Sequence, residues 1–318
     1  KAGYWPGEIR DIAVAPSGAV EARVQLVPLD GGHRDGLAVL CPKPSGKKGA
    51  GVRIAIIDTG TDEAEGLNIA RGVNMTGVEP NDRWSDNGSG HGTHVAGIVS
   101  RVVPGAELHI YRVFAAADGS AGEIAISKAI RDAVDNGCDI INLSLGQDTE
   151  PLAISRQTRR ARQLGVVCVA AAGNDGMGPV VYPARSSHML AVSACGVLGS
   201  WPTGASTGNH VADDPEPINK IFFAAFSNCG DAMDFIAPGV GTISWVSRAE
   251  RGVMDGTSMA CPVVTALIAA MLAEEPALLA AERDQQRSDD IIKLAFSKAK
   301  RIGFGESFEG SGFIGAVS

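Results

Sequence analysis

Three features are scarce in this sequence: long apolar runs, excess positive charge and cysteine. No apolar run reaches the roughly 20 residues that span a membrane as a helix, so we expect no membrane span. The net charge of −8 argues against nucleic acid or an anionic membrane as a partner. A chain of 318 residues with six cysteines is too large to need disulfide staples. We therefore predict buried free thiols in preference to disulfides.

Glycine and apolar residues are abundant instead. Forty glycines and an apolar share of 45% suit a large buried core joined by tight turns. A chain of 318 residues is long enough for two average domains, but α/β enzymes of this length are commonly one domain. The sequence starts at Lys1 without a recognisable signal peptide, so it leaves the compartment open.

Short apolar runs rich in β-branched residues alternate with helical periods along the chain. The first run, residues 52–57, ends at Asp58, and one helical period covers residues 123–136 and is closed by Gly137. This alternation predicts an α/β fold with a mostly parallel central sheet and helices on both faces. Active sites of such sheets lie beyond the carboxyl ends of the strands, where Asp58 falls. The other predicted strands cover residues 108–113, 140–145, 166–171, 189–194 and 233–236.

Ser258 lies in residues 256–262, directly before an apolar run at residues 263–273. This run is too short to cross a membrane and is apolar all round, which predicts a buried helix. With Pro262 in its first turn, the helix would begin beside Ser258, and its unpaired N–H groups could stabilise an oxyanion. Two interpretations stay open from this segment alone: Ser258 is a nucleophile, or it caps the helix.

His91 opens a second motif, in which glycines on both sides leave the imidazole unobstructed. His94 follows three residues later with no glutamate between, unlike the zinc-binding His-Glu-x-x-His helix, so we predict no metal site here. For His91 alone, a structural role would be the default. The order Asp58, His91, Ser258, however, is the order of acid, base and nucleophile in subtilisin.

Seven segments occur in the order typical of one enzyme family. The Asp-Thr-Gly after the first strand, the His-Gly-Thr-His motif and the Gly-Thr-Ser-Met-Ala motif are joined by residues 141–146, 170–174, 182–184 and 237–239. From about residue 51 to the carboxyl terminus, the chain resembles the subtilisin-like serine peptidases, or subtilases. The resemblance implies a three-layer subtilisin-like α/β fold. We divide the chain into an N-terminal arm or propeptide remnant with a linker, residues 1–45, and a subtilase catalytic domain, residues 46–318, in which residues 198–220 form a polar surface insertion.

The resemblance also implies a serine endopeptidase that forms an acyl-enzyme intermediate. Ser258 would attack the peptide bond, His91 would take the proton and return it to the leaving amine, and Asp58 would orient the imidazole. The side-chain amide of Asn174 and the backbone N–H of Ser258 would bind the oxyanion. This chemistry needs no cofactor, and the partner it implies is a protein or peptide substrate.

Substrate-binding residues follow from the same resemblance. An extended substrate would pair with residues 144–146 as an added strand, and two walls of small residues, 144–146 and 171–173, would leave an open apolar slot for the side chain before the cut. Val181 would fall at the far end of that slot, where a number of family members have glycine, and Asp175 would lie at its rim. We predict a preference for Leu, Met or smaller residues over Phe and Tyr, with Lys tolerated. The cleft residues implied are those of the two slot walls, Ser144, Leu145, Gly146, Ala171, Ala172 and Gly173, and those of the opposite wall of the cleft, Asp118, Gly119 and Ser120.

Many subtilases hold a structural Ca²⁺ in a loop after the histidine helix. Here no Asn, Asp or Gln lies between Gly97 and Pro104, and the segment is short for such a loop. We do not expect that strong calcium site, although weaker sites elsewhere stay open.

We expect a monomer. The resemblance points to secretion, whereas six cysteines and no visible signal peptide leave an intracellular location open.

Two other functions compete with this one, and the biological role stays open as well. A Gly-x-Ser-x-Gly elbow around Ser206 would indicate an α/β-hydrolase, but that elbow needs an acid and then a histidine after the serine. The only histidine after Ser206 is His210, and no acid lies between them. A binding module that has lost catalysis would not need all four chemical positions, and all four are present. Broad degradation and the processing of a single precursor are not separated by any motif.

Overall fold

The computed structural model describes residues 35–41, 48–115, 121–202 and 210–315, together with the backbone of residues 9–12 and 22–27. Helices and strands alternate along most of this length. The strands are β1 (Ile9–Ile12), β2 (Ala22–Val27), β3 (Arg53–Asp58), β4 (Ile69–Asn74), β5 (Glu107–Arg112), β6 (Ile140–Leu143), β7 (Val167–Ala171), β8 (Leu190–Val197), β9 (Ile221–Phe223), β10 (Phe235–Pro238), β11 (Thr242–Trp245), β12 (Arg251–Met254), β13 (Ala299–Lys300) and β14 (Phe313–Ile314). The helices are α1 (Gly36–Leu40), α2 (His91–Val102), α3 (Glu123–Asp135), α4 (Leu152–Gln163), α5 (Thr257–Ala273), α6 (Pro276–Leu279), α7 (Gln285–Lys298) and α8 (Glu306–Glu309).

The central sheet is mostly parallel, as predicted. Seven parallel strands follow the order β10-β8-β7-β6-β3-β5-β4, and β9 pairs antiparallel with the end of β8. From β3 the chain first builds one side of the sheet with β4 and β5, and then crosses to the other side with β6. The connections therefore diverge between β3 and β6, which leaves a crevice at the carboxyl ends of these two strands. Asp58 ends β3 and Ser144 follows β6, so both residues lie at this crevice.

Helices cover both faces of the sheet, because successive residues of a strand point to opposite sides. In β3, Ile54 and Ile56 join a core that includes residues of α2 and α5. Ala55 and Ile57 join a second core that includes residues of α3 and α4. The predicted three-layer α/β architecture is confirmed.

The six predicted strands are all present, with ends that differ from the prediction by at most three residues. The largest difference is at β8, which runs on to Val197 because its end gains β9 as a partner. Strand β6 stops at Leu143, so the predicted substrate-binding segment that follows lies outside the sheet.

The N-terminal part of the chain joins the side of the molecule that carries Ser258. Strands β1, β2, β12 and β11 form a small antiparallel sheet in that order. Asp35 caps α1 and accepts hydrogen bonds from Arg101 and from the backbone N–H of Ile243, while Leu37 of α1 is buried in the core with α2 and α5. Residues 35–41 therefore pack on the main body, and the domain division at residue 45 stays a prediction.

The six cysteines are unpaired; four are buried as predicted, whereas Cys41 and Cys229 are partly exposed. Burial raises the pKa of the Cys168 and Cys261 thiols to about 12, so both stay protonated and unreactive near neutral pH. Within the described residues, no helix combines the length and the apolar composition needed to cross a bilayer.

Candidate active site

Asp58 and His91 are hydrogen-bonded at the crevice. Asp58 is the last residue of β3 and His91 the first of α2, and Asp58 Oδ1 lies 2.7 Å from His91 Nδ1. The backbone N–H of Thr59 donates to the same oxygen at 2.7 Å. A Cβ at position 92 would lie 2.0 Å from the carbonyl oxygen of Gly60. Only glycine at position 92 therefore lets α2 begin this close to the end of β3.

The second ring nitrogen of His91, Nε2, is buried. Neither His91 Nε2 nor Asp58 Oδ2 is hydrogen-bonded within the described part of the chain. Because Nδ1 faces a carboxylate, the proton is favoured on Nδ1, which leaves a lone pair on Nε2. Burial lowers the pKa of His91, but the charge and hydrogen bond of Asp58 and the charge of Asp86 raise it, and the net result lies above the ordinary value. Such an imidazole can accept a proton near neutral pH.

Ser258 is the second residue of α5 and is fully buried. Gly256 holds the N-cap position without a side-chain hydrogen bond, so the interpretation of Ser258 as a helix cap is wrong. The Ser258 hydroxyl donates to the backbone oxygen of Ser144 at 3.3 Å. It must leave that oxygen to reach His91 Nε2, and free enzymes often show such long or unformed catalytic hydrogen bonds.

Pro262 lies inside α5 and not in its first turn, which corrects the prediction. The helix begins at Thr257, so the proline is its sixth residue and has no N–H for the carbonyl oxygen of Ser258 four residues earlier. Ser144 Oγ donates to that oxygen at 2.8 Å instead, and Asn142 Nδ2 donates to Ser144 Oγ at 3.0 Å. The missing helical hydrogen bond is thus replaced by one that ties Ser258 to the end of β6.

Asn174 and the start of α5 together leave a space lined by two donors. Asn174 Oδ1 accepts hydrogen bonds from the backbone N–H and the hydroxyl of Thr257, at 2.9 and 3.0 Å. A Cβ on Gly256 would lie 3.4 Å from Asn174 Nδ2 and 3.6 Å from the backbone nitrogen of Ser258. Because Gly256 has no side chain, this space beside the positive end of α5 stays open, and it suits an oxyanion.

Val181 lies between the two predicted walls of the slot. Its backbone N–H donates to the carbonyl oxygen of Ala172 at 3.0 Å. Its Cγ2 methyl is 2.5 Å from where a Cβ on Gly146 would be, and 3.0 Å from where a Cβ on Gly173 would be. The side chain of Val181 therefore contacts both glycines. The other wall residues, Ser144, Leu145, Ala171 and Ala172, are buried.

Sequence reasoning missed Asn228, a buried residue that holds the loop after Asn174. Its backbone N–H donates to the carbonyl oxygen of Gly173 at 3.0 Å. Its side chain accepts from the Asp175 backbone N–H at 2.7 Å and donates to Asp175 Oδ2 at 2.8 Å. Asp175 and Asn228 are 53 residues apart, and no local pattern marks the contact.

His94, the second histidine of the motif, is a structural residue. Its Nε2 lies 3.1 Å from the carbonyl oxygen of Thr242 and 3.3 Å from that of Gly252, so an N–H there joins β11 to β12. Burial lowers the pKa of His94 to about 3, so the ring stays neutral. Among the described residues, no group of three or more His, Cys, Asp or Glu side chains is arranged to hold a metal ion.

Several predictions stay untested. Helix α2 ends at Val102 and β5 begins at Glu107, so the connection is short, and the missing strong calcium site remains a prediction. The opposite cleft wall, Asp118, Gly119 and Ser120, lies outside the described residues, as does Ser206.

Comparison with models of protein families identifies the family of this chain. The model of the subtilase family matches residues 49–303. The chain belongs to the subtilase family. The resemblance stated from the sequence motifs is therefore confirmed, over a match that contains both the Asp58–His91 pair and Ser258.

Individual relatives agree with this assignment. This subtilase is 33% identical over 240 residues to M-protease of Shouchella clausii (strain KSM-K16) and to subtilisin Savinase of Lederbergia lenta. It is 30% identical over 271 residues to minor extracellular protease Epr of Bacillus subtilis (strain 168). These matches cover 73%, 73% and 82% of this chain, and 56%, 80% and 38% of the three relatives. The chain thus spans about half the length of M-protease, less of Epr and most of Savinase.

Proposed function

We propose that this subtilase is a serine endopeptidase that uses Asp58, His91 and Ser258. His91 Nε2 takes the proton of Ser258 Oγ as that oxygen attacks the peptide carbonyl carbon. The resulting oxyanion binds between Asn174 Nδ2 and the backbone N–H of Ser258. The imidazolium, stabilised by Asp58, then gives its proton to the leaving amine, and water hydrolyses the acyl-enzyme by the same sequence of steps.

One observation carries this proposal. Asp58 and His91 form a 2.7 Å hydrogen bond at the crevice where α5 presents Ser258, and His91 Nε2 has no partner among the described residues. Ser258→Ala should lower kcat on an unfolded protein by about 10⁶-fold, the magnitude known for subtilisin. Asn174→Ala should lower kcat by about 10²–10³-fold, again the subtilisin magnitude. Cleavage by Ser258→Ala at the parent rate would contradict the mechanism.

The same proposal includes a substrate preference set by Val181. Its methyl groups occupy space between Gly146 and Gly173, and a β-branched side chain cannot easily turn away because its χ1 angle is restricted. Overfilling a packed slot costs about 1–3 kcal/mol, or roughly ten- to two-hundredfold in relative rate. We therefore expect Leu, Met or smaller residues before the cut to be preferred over Phe and Tyr. Asp175 is exposed, and its carboxylate would attract a basic side chain, so we expect Lys before the cut to be tolerated.

Matched peptides that differ only before the cut test this preference, on the parent and on Val181→Gly. The glycine variant should raise kcat/KM for Phe by at least about tenfold and leave Ala unchanged, because Ala does not reach the methyl groups. If the parent already cleaves after Phe as fast as after Leu, and the variant changes nothing, Val181 does not shape the slot.

The biological role would follow from a cleavage profile in a mixed peptide library. Cuts in many unrelated sequences at similar rates would indicate broad degradation. Cuts confined to one extended motif would indicate the processing of a specific precursor.

A further inference from the structure

Asp86 organises the loop that leads into α2. Its Oδ1 accepts hydrogen bonds from the backbone N–H groups of Gly88 at 2.9 Å and Gly90 at 2.7 Å. Its Oδ2 accepts from the hydroxyl of Thr59 at 2.8 Å. Gly90 is the N-cap of α2, with a φ of 76°. The Asp86 carboxylate therefore holds the turn from which His91 projects.

Thr59 connects Asp86 to both members of the catalytic pair. Its backbone N–H donates to Asp58 Oδ1 at 2.7 Å. Its hydroxyl accepts from the backbone N–H of Gly92 at 2.8 Å while donating to Asp86. One side chain thus joins the end of β3 to the first turn of α2, and Asp86 fixes the orientation of that side chain by accepting its proton.

We propose that Asp86 is a positioning residue for the Asp58–His91 pair and places a second carboxylate near the imidazole. This inference rests on the proposed peptidase function. Through Thr59, Asp86 holds the acid and the base at their hydrogen-bonding distance. Through its charge, it favours the imidazolium that forms when His91 takes the proton of Ser258.

The titratable groups around His91 support the second effect. Among the described residues they are Asp58 at the end of β3, Asp86 in the preceding loop and His94 one turn along α2. Burial lowers the pKa of His91, and the charges of Asp58 and Asp86 raise it. His94 adds no charge near neutral pH, because burial holds its pKa at about 3. Burial, together with the charge of Asp58, raises the pKa of Asp86 above its ordinary value, although its three hydrogen-bond donors favour the ionised form and oppose that rise.

The test follows the protonation of His91 in two independent ways. One is an NMR titration of the imidazole in the Ser258→Ala protein, and the other is the acid limb of kcat/KM in the active protein. Activity is lost as pH falls through the pKa of His91, so the parent limb should lie above the ordinary value of about 6.5. Asp86→Asn keeps the shape but removes the charge, so both midpoints should move to lower pH by about 0.5 to 1 unit.

Substitutions of Thr59 separate the positional effect from the charge. Thr59→Val removes the hydroxyl but keeps both carboxylates. We therefore expect kcat to fall by at least about tenfold, while the midpoint of the acid limb of kcat/KM stays unchanged. Thr59→Ser keeps the hydroxyl and should restore the parent kcat. As a control for total charge, Asp290→Asn removes one carboxylate from α7, which packs against α4, and should leave both midpoints unchanged.

Unchanged midpoints in folded Asp86→Asn would overturn the proposal, and so would a parent kcat in Thr59→Val. If Asp86→Asn does not fold, the two Thr59 variants decide the question. If the parent cleaves no substrate, the peptidase function fails, whereas the NMR midpoint still tests the effect of Asp86 on His91.

Discussion

Asp58 and Asp139 are buried carboxylates at opposite edges of the same sheet, and they differ in how completely they are paired. Asp139 precedes β6 at the amino edge. Its Oδ1 accepts from Arg283 and Arg287 at 2.7 Å each, and its Oδ2 accepts from the backbone N–H of Arg53 at 2.9 Å. The side chain of Arg287 is itself fully buried. Asp139 therefore pairs with two guanidinium groups, and its pair with Arg287 ties α7 to the sheet.

Asp58, at the carboxyl edge, is only partly paired. Its Oδ1 meets His91 and the Thr59 backbone N–H, while Oδ2 has no partner in the described part of the chain. Its main partner is an imidazole, which gains and loses a proton near neutral pH. The same group would thus stabilise the fold where fixed cations pair with it and, in the proposed mechanism, take part in catalysis where its partner titrates.

The largest expected effect comes from Asp58→Asn. Losing the charge and the tautomer control should lower kcat by about 10⁴-fold. Above the pKa of His91 the imidazole is neutral and no buried cation loses its partner, so the free energy of unfolding should not fall there. Activity assays and urea unfolding of the same preparation measure both quantities. A strongly destabilised but fully active variant would reverse the contrast between the two carboxylates.

Asp139→Asn should give the opposite result. It leaves the buried guanidinium of Arg287 without its carboxylate, and breaking a buried pair in this way costs about 3–5 kcal/mol. Unfolding is best measured in the Ser258→Ala background, where self-cleavage is suppressed. At temperatures where Asp139→Asn stays folded, kcat of the active form should match the parent. Parent stability in this variant would show that the cluster does not hold α7.

The third effect, smaller at each pH unit, is the pH dependence of stability that His94 of α2 produces. The pKa of His94 falls to about 3 on folding, so below its ordinary value of 6.5 the unfolded chain binds a proton that the folded chain does not. Stability should therefore fall as pH drops from about 6.5 to 3, by up to about 1.4 kcal/mol per pH unit from this group. His94→Gln, which keeps a donor toward β11 and β12, should flatten that slope. An unchanged slope would assign the acid sensitivity to other groups.

Local patterns were enough to predict six strands of the central sheet, α3 and the segments that carry Asp58, His91 and Ser258, but not β4 and β9 of the same sheet or the strands of the two small sheets. Each depends on neighbours in sequence: apolar runs, glycines before and after a turn, and a buried helix behind the serine. The position of Pro262 was predicted wrongly. A proline inside α5 is tolerated because Ser144, 114 residues from Ser258, donates to the backbone oxygen of Ser258 that the proline leaves without a helical donor. A long-range donor of this kind leaves no trace in the helix itself.

The other missed features are also contacts between distant segments. Asp139 and Arg287 are 148 residues apart, and neither residue stands out locally. Asp86 is an ordinary loop acid in the sequence, and its relation to Asp58 appears only when Thr59 brings the end of β3 to the start of α2. Periodicity describes which face of an element is buried, but not which polar side chain of another element meets it.

Covalent labelling with a sulfonyl fluoride, followed by peptide mass mapping, tests the central claim most directly, namely that His91 activates Ser258 as the nucleophile. The account predicts a single adduct on the peptide that contains Ser258, with labelling slowed by at least about 10³-fold in His91→Ala. An active protein that carries the adduct on another serine, or that loses its activity while Ser258 stays unmodified, would contradict it.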